Sequence, residues 1–250
     1  MRRLALIALC AVLAGCADSP TLGESKPPAA IEQSTRSAAE AAEAGGDFAS
    51  ASGSWGNLVA HHPEDPELAW HLAHSLRRAG QGQAAIDAAQ GFIDRHGKSP
   101  ALLVELGKDY LAADRLGLAV RTLTEATALA PKDWEGFSAL GVAEDYQGHY
   151  VEARQAYAQA LALSPDNPTV LNNLGLSQAL AGHLAEARAT LEKAADQPHA
   201  TPQTRQNLAL VKALAGDLAG AERLNRQDLT PEQMRANSAY YRMLLGAKRE

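Results

Sequence analysis

Five glycines and one aspartate stand on a single spacing: Gly46, Gly80, Asp114, Gly148, Gly182 and Gly216 follow one another at intervals of 34 residues. A second column holds alanine in every unit, at Ala51, Ala85, Ala119, Ala153, Ala187 and Ala221. A unit of this length is one supersecondary element and cannot close a core alone, so neighbouring units must stack and bury a continuous core between them. Gly and Asp tolerate left-handed backbone where a helix has to stop, which makes the first column a turn between paired helices. The alanine column marks where helices approach closely. Aromatic residues make up only 5% of the chain, Ala and Leu run throughout, and no β-rich segment stands out. The fold class is therefore all-α.

The unit boundaries carry their own punctuation. Asp65-Pro66, Ser99-Pro100, Asn167-Pro168 and Thr201-Pro202 each place a capping side chain before a proline suited to the first helical turn. The register that results is 32–65, 66–99, 100–133, 134–167, 168–201 and 202–235. Unit 32–65 keeps Phe48, Ala51, Trp55 and Pro63, whereas unit 202–235 puts Asn225 and Asp228 at places that are usually apolar. Degenerate ends are expected of terminal repeats. Thr230-Pro231 starts a further helix over 231–250, with Met234, Tyr241, Leu244 and Leu245 on roughly one face, as a cap on the last unit.

Within the unit that begins at Trp134 the pattern is Phe137, Leu140, Gly141, Gly148, Tyr150, Ala153, Tyr157, Ala160 and Pro165. The next unit repeats it with Leu171, Leu174, Gly175, Gly182, Leu184, Ala187, Leu191 and Ala194, and the preceding one with Leu103, Leu106, Gly107, Tyr110, Leu116, Ala119, Leu123, Ala126 and Pro131. This pattern resembles the tetratricopeptide repeat (TPR) consensus. The resemblance implies a right-handed superhelical solenoid of six helix-turn-helix units, with the first helix of each pair lining a concave wall. In that family places 2, 5, 9 and 12 of each unit face the groove. The residues so nominated include Trp70, His74 and Arg77, then Val104 and Lys108, then Ser138 and Val142, then Asn172 and Leu176. Trp70, His74 and Arg77 share one helical stripe at i, i+4 and i+7, suited to an extended peptide or a partner helix. The lysine-and-asparagine clamp of chaperone-binding TPR proteins is not matched, since Lys108 stands alone.

The amino terminus reads as an address. Met1-Arg2-Arg3 is a short positive region, and Leu4 to Leu13 is an apolar run too short to span a bilayer. It ends in Leu13-Ala14-Gly15-Cys16, which resembles the bacterial lipobox. That resemblance implies a signal peptide over 1–15, cleavage before Cys16 and lipid on its sulfur. Ala17 follows the lipidated residue and Asp18 comes one place too late for an inner-membrane retention signal, which favours the outer membrane, facing the periplasm. Residues 16–31 read as a flexible tether.

Little in the remainder suggests chemistry. The net charge is −6, and loss of Arg2 and Arg3 leaves 21 basic against 29 acidic residues, a net −8 that argues against nucleic acid. The two cysteines, Cys10 and Cys16, both lie at the amino-terminal address, so the rest of the chain lacks a nucleophilic thiol or a disulfide. His61, His62, His71 and His74 read as exposed histidines, the carboxylates as solvated, and Gly80-Gln81-Gly82 as a turn. No metal, cofactor, small-molecule substrate or enzymatic activity is expected.

The layout of lipobox, tether, six units and capping helix resembles outer-membrane pilus-assembly lipoproteins. The stretch from Gln206 to Leu245 is similar to the carboxyl-terminal run of the TadD family of the tight-adherence (Flp) pilus; the type IV pilotins called PilF or PilW are more distant. The TadD resemblance implies a scaffold that helps assemble or localise a secretin by binding a secretin segment or another pilus component. A general periplasmic adaptor for envelope or cell-wall biogenesis is the alternative.

Overall fold

The computed structural model describes residues 29–247. The signal peptide, Cys16 and most of the tether lie outside the described residues. Thirteen helices and no strands are found among those described. They are α1 (Ala29–Ala44), α2 (Phe48–His61), α3 (Pro66–Arg78), α4 (Gly82–His96), α5 (Pro100–Ala112), α6 (Leu116–Leu129), α7 (Trp134–Tyr146), α8 (Tyr150–Leu163), α9 (Pro168–Leu180), α10 (Leu184–Ala195), α11 (Pro202–Leu214), α12 (Leu218–Asn225) and α13 (Pro231–Ala247). The first helix takes in Ala29–Ile31, which the sequence reading assigns to the tether. None of the helices is long and apolar enough to cross a membrane.

The turn column has the backbone expected of it. The five glycines lie at φ between 78° and 92° and Asp114 at 57°. At each of these turns the residue after the grid position donates its N–H back to the carbonyl five residues earlier, as in Asp47 to Ala42 and Arg115 to Tyr110, both at 2.8 Å. Asp65, Asn167 and Thr201 cap the helices that follow them through their side chains. Ser99 differs. It has the extended backbone of a cap but makes no side-chain hydrogen bond to the helix end, so α5 starts on Pro100 and backbone geometry alone.

Every residue of the alanine column is fully buried. Beside it runs a column of still tighter contact. A Cβ added at Gly107 would lie 2.4 Å from Leu123, one at Gly141 2.6 Å from Tyr157, and one at Gly175 2.6 Å from Leu191. The first helix of units three to five thus presses on the second so closely that only Gly fits. In units one, two and six the same place holds Ala39, Ala73 and Ala209, all buried.

Each helix packs on the next in sequence, and successive first helices also touch: α3 with α5, α5 with α7, α7 with α9, α9 with α11. Among the described residues no second helix makes a comparable contact with the second helix of the next unit. First helices therefore form the inner wall of the curved stack. The final unit departs from the pattern in a way its sequence announced. Its second helix, α12, is short, and Asn225 is buried there and donates to the Tyr241 hydroxyl of α13 at 3.4 Å. Asp228, just past α12, takes two hydrogen bonds from Arg205 of α11, at 2.6 and 2.7 Å. The polar substitutions tie the end of the stack to its cap.

Candidate functional site

The inner wall changes character along its length. At its amino-terminal part, the stripe from Trp70 to Arg77 does come together: Trp70 and His74 stack at 5.0 Å with 13° between their planes. His74 and Arg77, however, turn their polar ends into the protein. Arg77 donates from Nη2 and Nε to Glu105 Oε1 at 2.6 and 3.0 Å, and its Nε lies 3.1 Å from Asp109 Oδ1. His74 Nδ1 is 3.2 Å from the same Glu105 oxygen. Glu105 and Asp109 have no solvent exposure at all, which corrects the expectation that the carboxylates are solvated. Burial works to raise the pKa of Glu105, but the hydrogen bond from His74 and the charges of Arg77 and Lys108 outweigh it and hold the carboxyl below its ordinary value. Asp109 goes the other way. Burial first, and then the charge of Glu105, push it up to about 8 against the pull of Arg77 and Lys108.

This contact is one rung of a ladder. Place 12 of one unit meets place 10 of the next, always 32 residues on: Glu43 accepts from Ser75 Oγ at 2.6 Å, Arg77 meets Asp109, and Asp145 accepts from Ser177 Oγ at 2.6 Å. Two of the acids are also held within their own unit, Glu43 by Trp55 Nε1 at 2.9 Å and Asp145 by the Tyr157 hydroxyl at 2.8 Å. The triads Glu43–Trp55–Ser75 and Asp145–Tyr157–Ser177 are thus one constellation, repeated 102 residues apart. Burial raises the pKa of Asp145 despite its two donors. The intervening rungs hold Leu111 with Ala143, and Ala179 with Val211, and are apolar.

Further along, over α5, α7 and α9, the wall opens. Two adjoining hollows of about 210 and about 500 Å³ share Val142 and Asn173. The smaller is lined by Lys108, Leu111, Trp134, Glu135 and Ser138 among others, the larger by Tyr146, Tyr150, Leu176 and Leu180 among others. Tyr146 is 67% exposed and Leu180 64%, at equivalent places of consecutive units. Beside them a chain of side-chain hydrogen bonds crosses three helices. Gln203 donates to Asn207, Asn207 to Asn172, Asn172 to Asn173 and Asn173 to the Ser138 hydroxyl, at 2.8 to 3.4 Å.

The nominated residues therefore fall into three groups. His74 and Arg77 belong to the ion cluster, with Trp70 stacked on His74 and packed against the core. Val142 and Leu176 line the hollows, with Lys108 at their edge between Glu105 at 3.8 Å and Glu135 at 3.7 Å. Val104 and Ser138 are buried, Val104 in the core, and Asn172 sits inside the amide chain. Sequence reasoning missed Glu105, Asp109, Asn173, Tyr146, Tyr150 and Leu180. The two acids did leave a signal, as carboxylates one turn apart in a helix that is apolar but for Lys108. His71 stacks on Trp55 at 4.2 Å with its Nδ1 3.4 Å from Glu43.

Comparison with known proteins agrees with this architecture. Residues 36–100 match the family described as tetratricopeptide repeat, and residues 146–182 one described as TPR repeat. No curated protein matches the chain. Among solved structures, a tetratricopeptide repeat protein from Parabacteroides merdae superposes with a TM-score of 0.64 at 15% identity, over 85% of this chain and 87% of that one. A thermophilic TPR protein of Thermus thermophilus gives 0.62 at 21%, over 71% and 99%. MamA from Desulfovibrio magneticus gives 0.53 at 20%, over 65% and 92%. At these identities the likeness is one of fold. Helix pairs, turn geometry and matched repeats together give this chain the fold of a tetratricopeptide-repeat solenoid.

Proposed function

We propose that the protein is a lipid-anchored repeat scaffold that captures an extended segment of a partner protein in the hollows over α5, α7 and α9. One observation carries this reading: two large apolar side chains, Tyr146 and Leu180, stand mostly in water at the mouth of a concave, partly apolar groove. The groove is built on first helices pinned by Gly-tight packing, so little ordering entropy opposes capture. The action is passive binding, without catalysis. The lipobox at Cys16 supports anchoring at the outer membrane, and the similarity of Gln206–Leu245 to the TadD family supports a role in Flp pilus assembly, with a secretin or another pilus component as partner.

Co-purification from detergent-solubilised membranes tests both parts. The full chain is expected to bring down a secretin or pilus component, and a variant carrying Tyr146→Ala with Leu180→Ser to lose it. Recovery of cell-wall enzymes in its place would move the protein to the adaptor reading, and equal recovery by both forms would move the binding site elsewhere. Cys16→Ser is expected to release the protein from the membrane fraction; unchanged fractionation would remove the anchor.

A further inference from the structure

We infer that the segment this groove holds is an extended, polyproline-type stretch with apolar side chains at every third position and no carboxylate among them. The inference rests on the scaffold reading and names the chemistry of its partner.

Three observations converge on it. The chain has three Trp and six Tyr, and one Trp and two Tyr of these, Trp134, Tyr146 and Tyr150, line the two hollows with the buried Tyr157 behind them. Aromatic-lined grooves take polyproline-type segments, whose ordering is mostly done before they bind. Spacing points the same way. Tyr146 and Leu180 mark the ends of α7 and α9, and helices in contact lie about 8–10 Å apart. A polyproline-type chain returns to the same face every third residue, after about 9 Å. A β-strand returns after two residues, about 6.6 Å, and falls short of the neighbouring unit.

The polar lining fits such a backbone as well. A polyproline-type segment makes no hydrogen bonds of its own, and its carbonyls seek donors. Asn173, the amide that lines both hollows, spends one N–H on Ser138 and keeps the other. Charge excludes the acidic alternatives. Among the described residues Lys108 is the one cation lining the hollows, and it is already shared between Glu105 and Glu135. A partner's carboxylate, whether a side chain or a chain terminus, finds no free counter-charge there. A basic flank finds Glu135, whose side chain is 54% exposed.

Selection of displayed random 12-residue peptides on the immobilised full chain in detergent tests this. Enriched peptides are expected to carry apolar residues three apart with proline between them, to lack Asp and Glu in that stretch, and to be recovered at least tenfold less by the Tyr146→Ala Leu180→Ser variant, with circular dichroism showing that variant folded. An acidic consensus, dependence on a free carboxyl terminus or a two-residue apolar period would overturn the inference while leaving the scaffold reading to the membrane co-purification. Absence of any enrichment, or undiminished recovery by the folded variant, overturns it equally.

Discussion

Between α3 and α5 the inner wall is fastened by charge, with one guanidinium lying among two fully buried carboxylates and an imidazole. Between α7 and α9 it is fastened by hydrogen bonds from neutral donors, Ser177 to Asp145 and Asn173 to Ser138, and leaves aromatic and aliphatic surface in water. Both stretches are built from the same repeat with its columns in the same register. A repeat fold separates what stacks the units from what the wall offers, and a few side chains at places 5, 6, 10, 12 and 13 decide whether a stretch holds itself or holds something else.

That contrast can be broken from its charged side first. Arg77→Ala leaves Glu105 and Asp109 buried without their cation and should cost about 3–5 kcal/mol, read by urea unfolding. A loss below about 1 kcal/mol, on the order of an exposed pair, would show the cluster to be solvated. Gly141→Leu should cost about 1–3 kcal/mol, because even the first added carbon would meet the Tyr157 ring at 2.6 Å; a midpoint no lower than that of the parent would count against the packing.

A pH series sharpens the comparison. Asp109 is raised from 3.8 to about 8, so in that window the folded chain keeps a proton the unfolded chain has released, and stability falls as pH rises. The slope is at most about 1.4 kcal/mol per pH unit. Asp109→Asn should remove most of it, the remainder belonging to Asp145, and an unchanged slope would show that Asp109 ionises like an exposed acid. On the neutral side, Ser177→Ala should cost only about 1 kcal/mol in the same denaturation assay, since Tyr157 still serves Asp145. The exposed pair comes last. Tyr146→Ala with Leu180→Ser should shift stability by no more than about 0.5 kcal/mol while abolishing partner recovery, and a larger shift would mean that these side chains serve the fold.

The sequence exposed the stack far better than the wall. Turn glycines, buried alanines and proline starts answer to local backbone rules that repeat every 34 residues, so each unit corroborates the others. The ion cluster obeys no such rule. Glu105 and Asp109 are buried because Arg77 reaches them from the preceding unit, and nothing within α5 distinguishes that from two acids on a wet face except their apolar neighbours. Arg77 was legible as an inner-wall residue, but its commitment to α5 was not. Tyr146 and Leu180 escaped because they lie one place beyond the positions the family resemblance nominates. Ser99 shows the reverse case, a residue with the right identity and backbone for a cap whose hydroxyl does not engage.

The rung between α5 and α7 has a consequence for how the molecule comes apart. In a linear array each unit is coupled only to its neighbours, and cooperativity is as strong as the weakest coupling. Leu111 and Ala143 occupy that rung where charged or hydrogen-bonded pairs occupy the ones on either side, at Arg77–Asp109 and Asp145–Ser177. Ala179 and Val211 form a second apolar rung, between α9 and α11, so partial opening should divide the chain into three blocks, α1–α6, α7–α10 and α11–α13, with amide exchange in them rising at different denaturant concentrations.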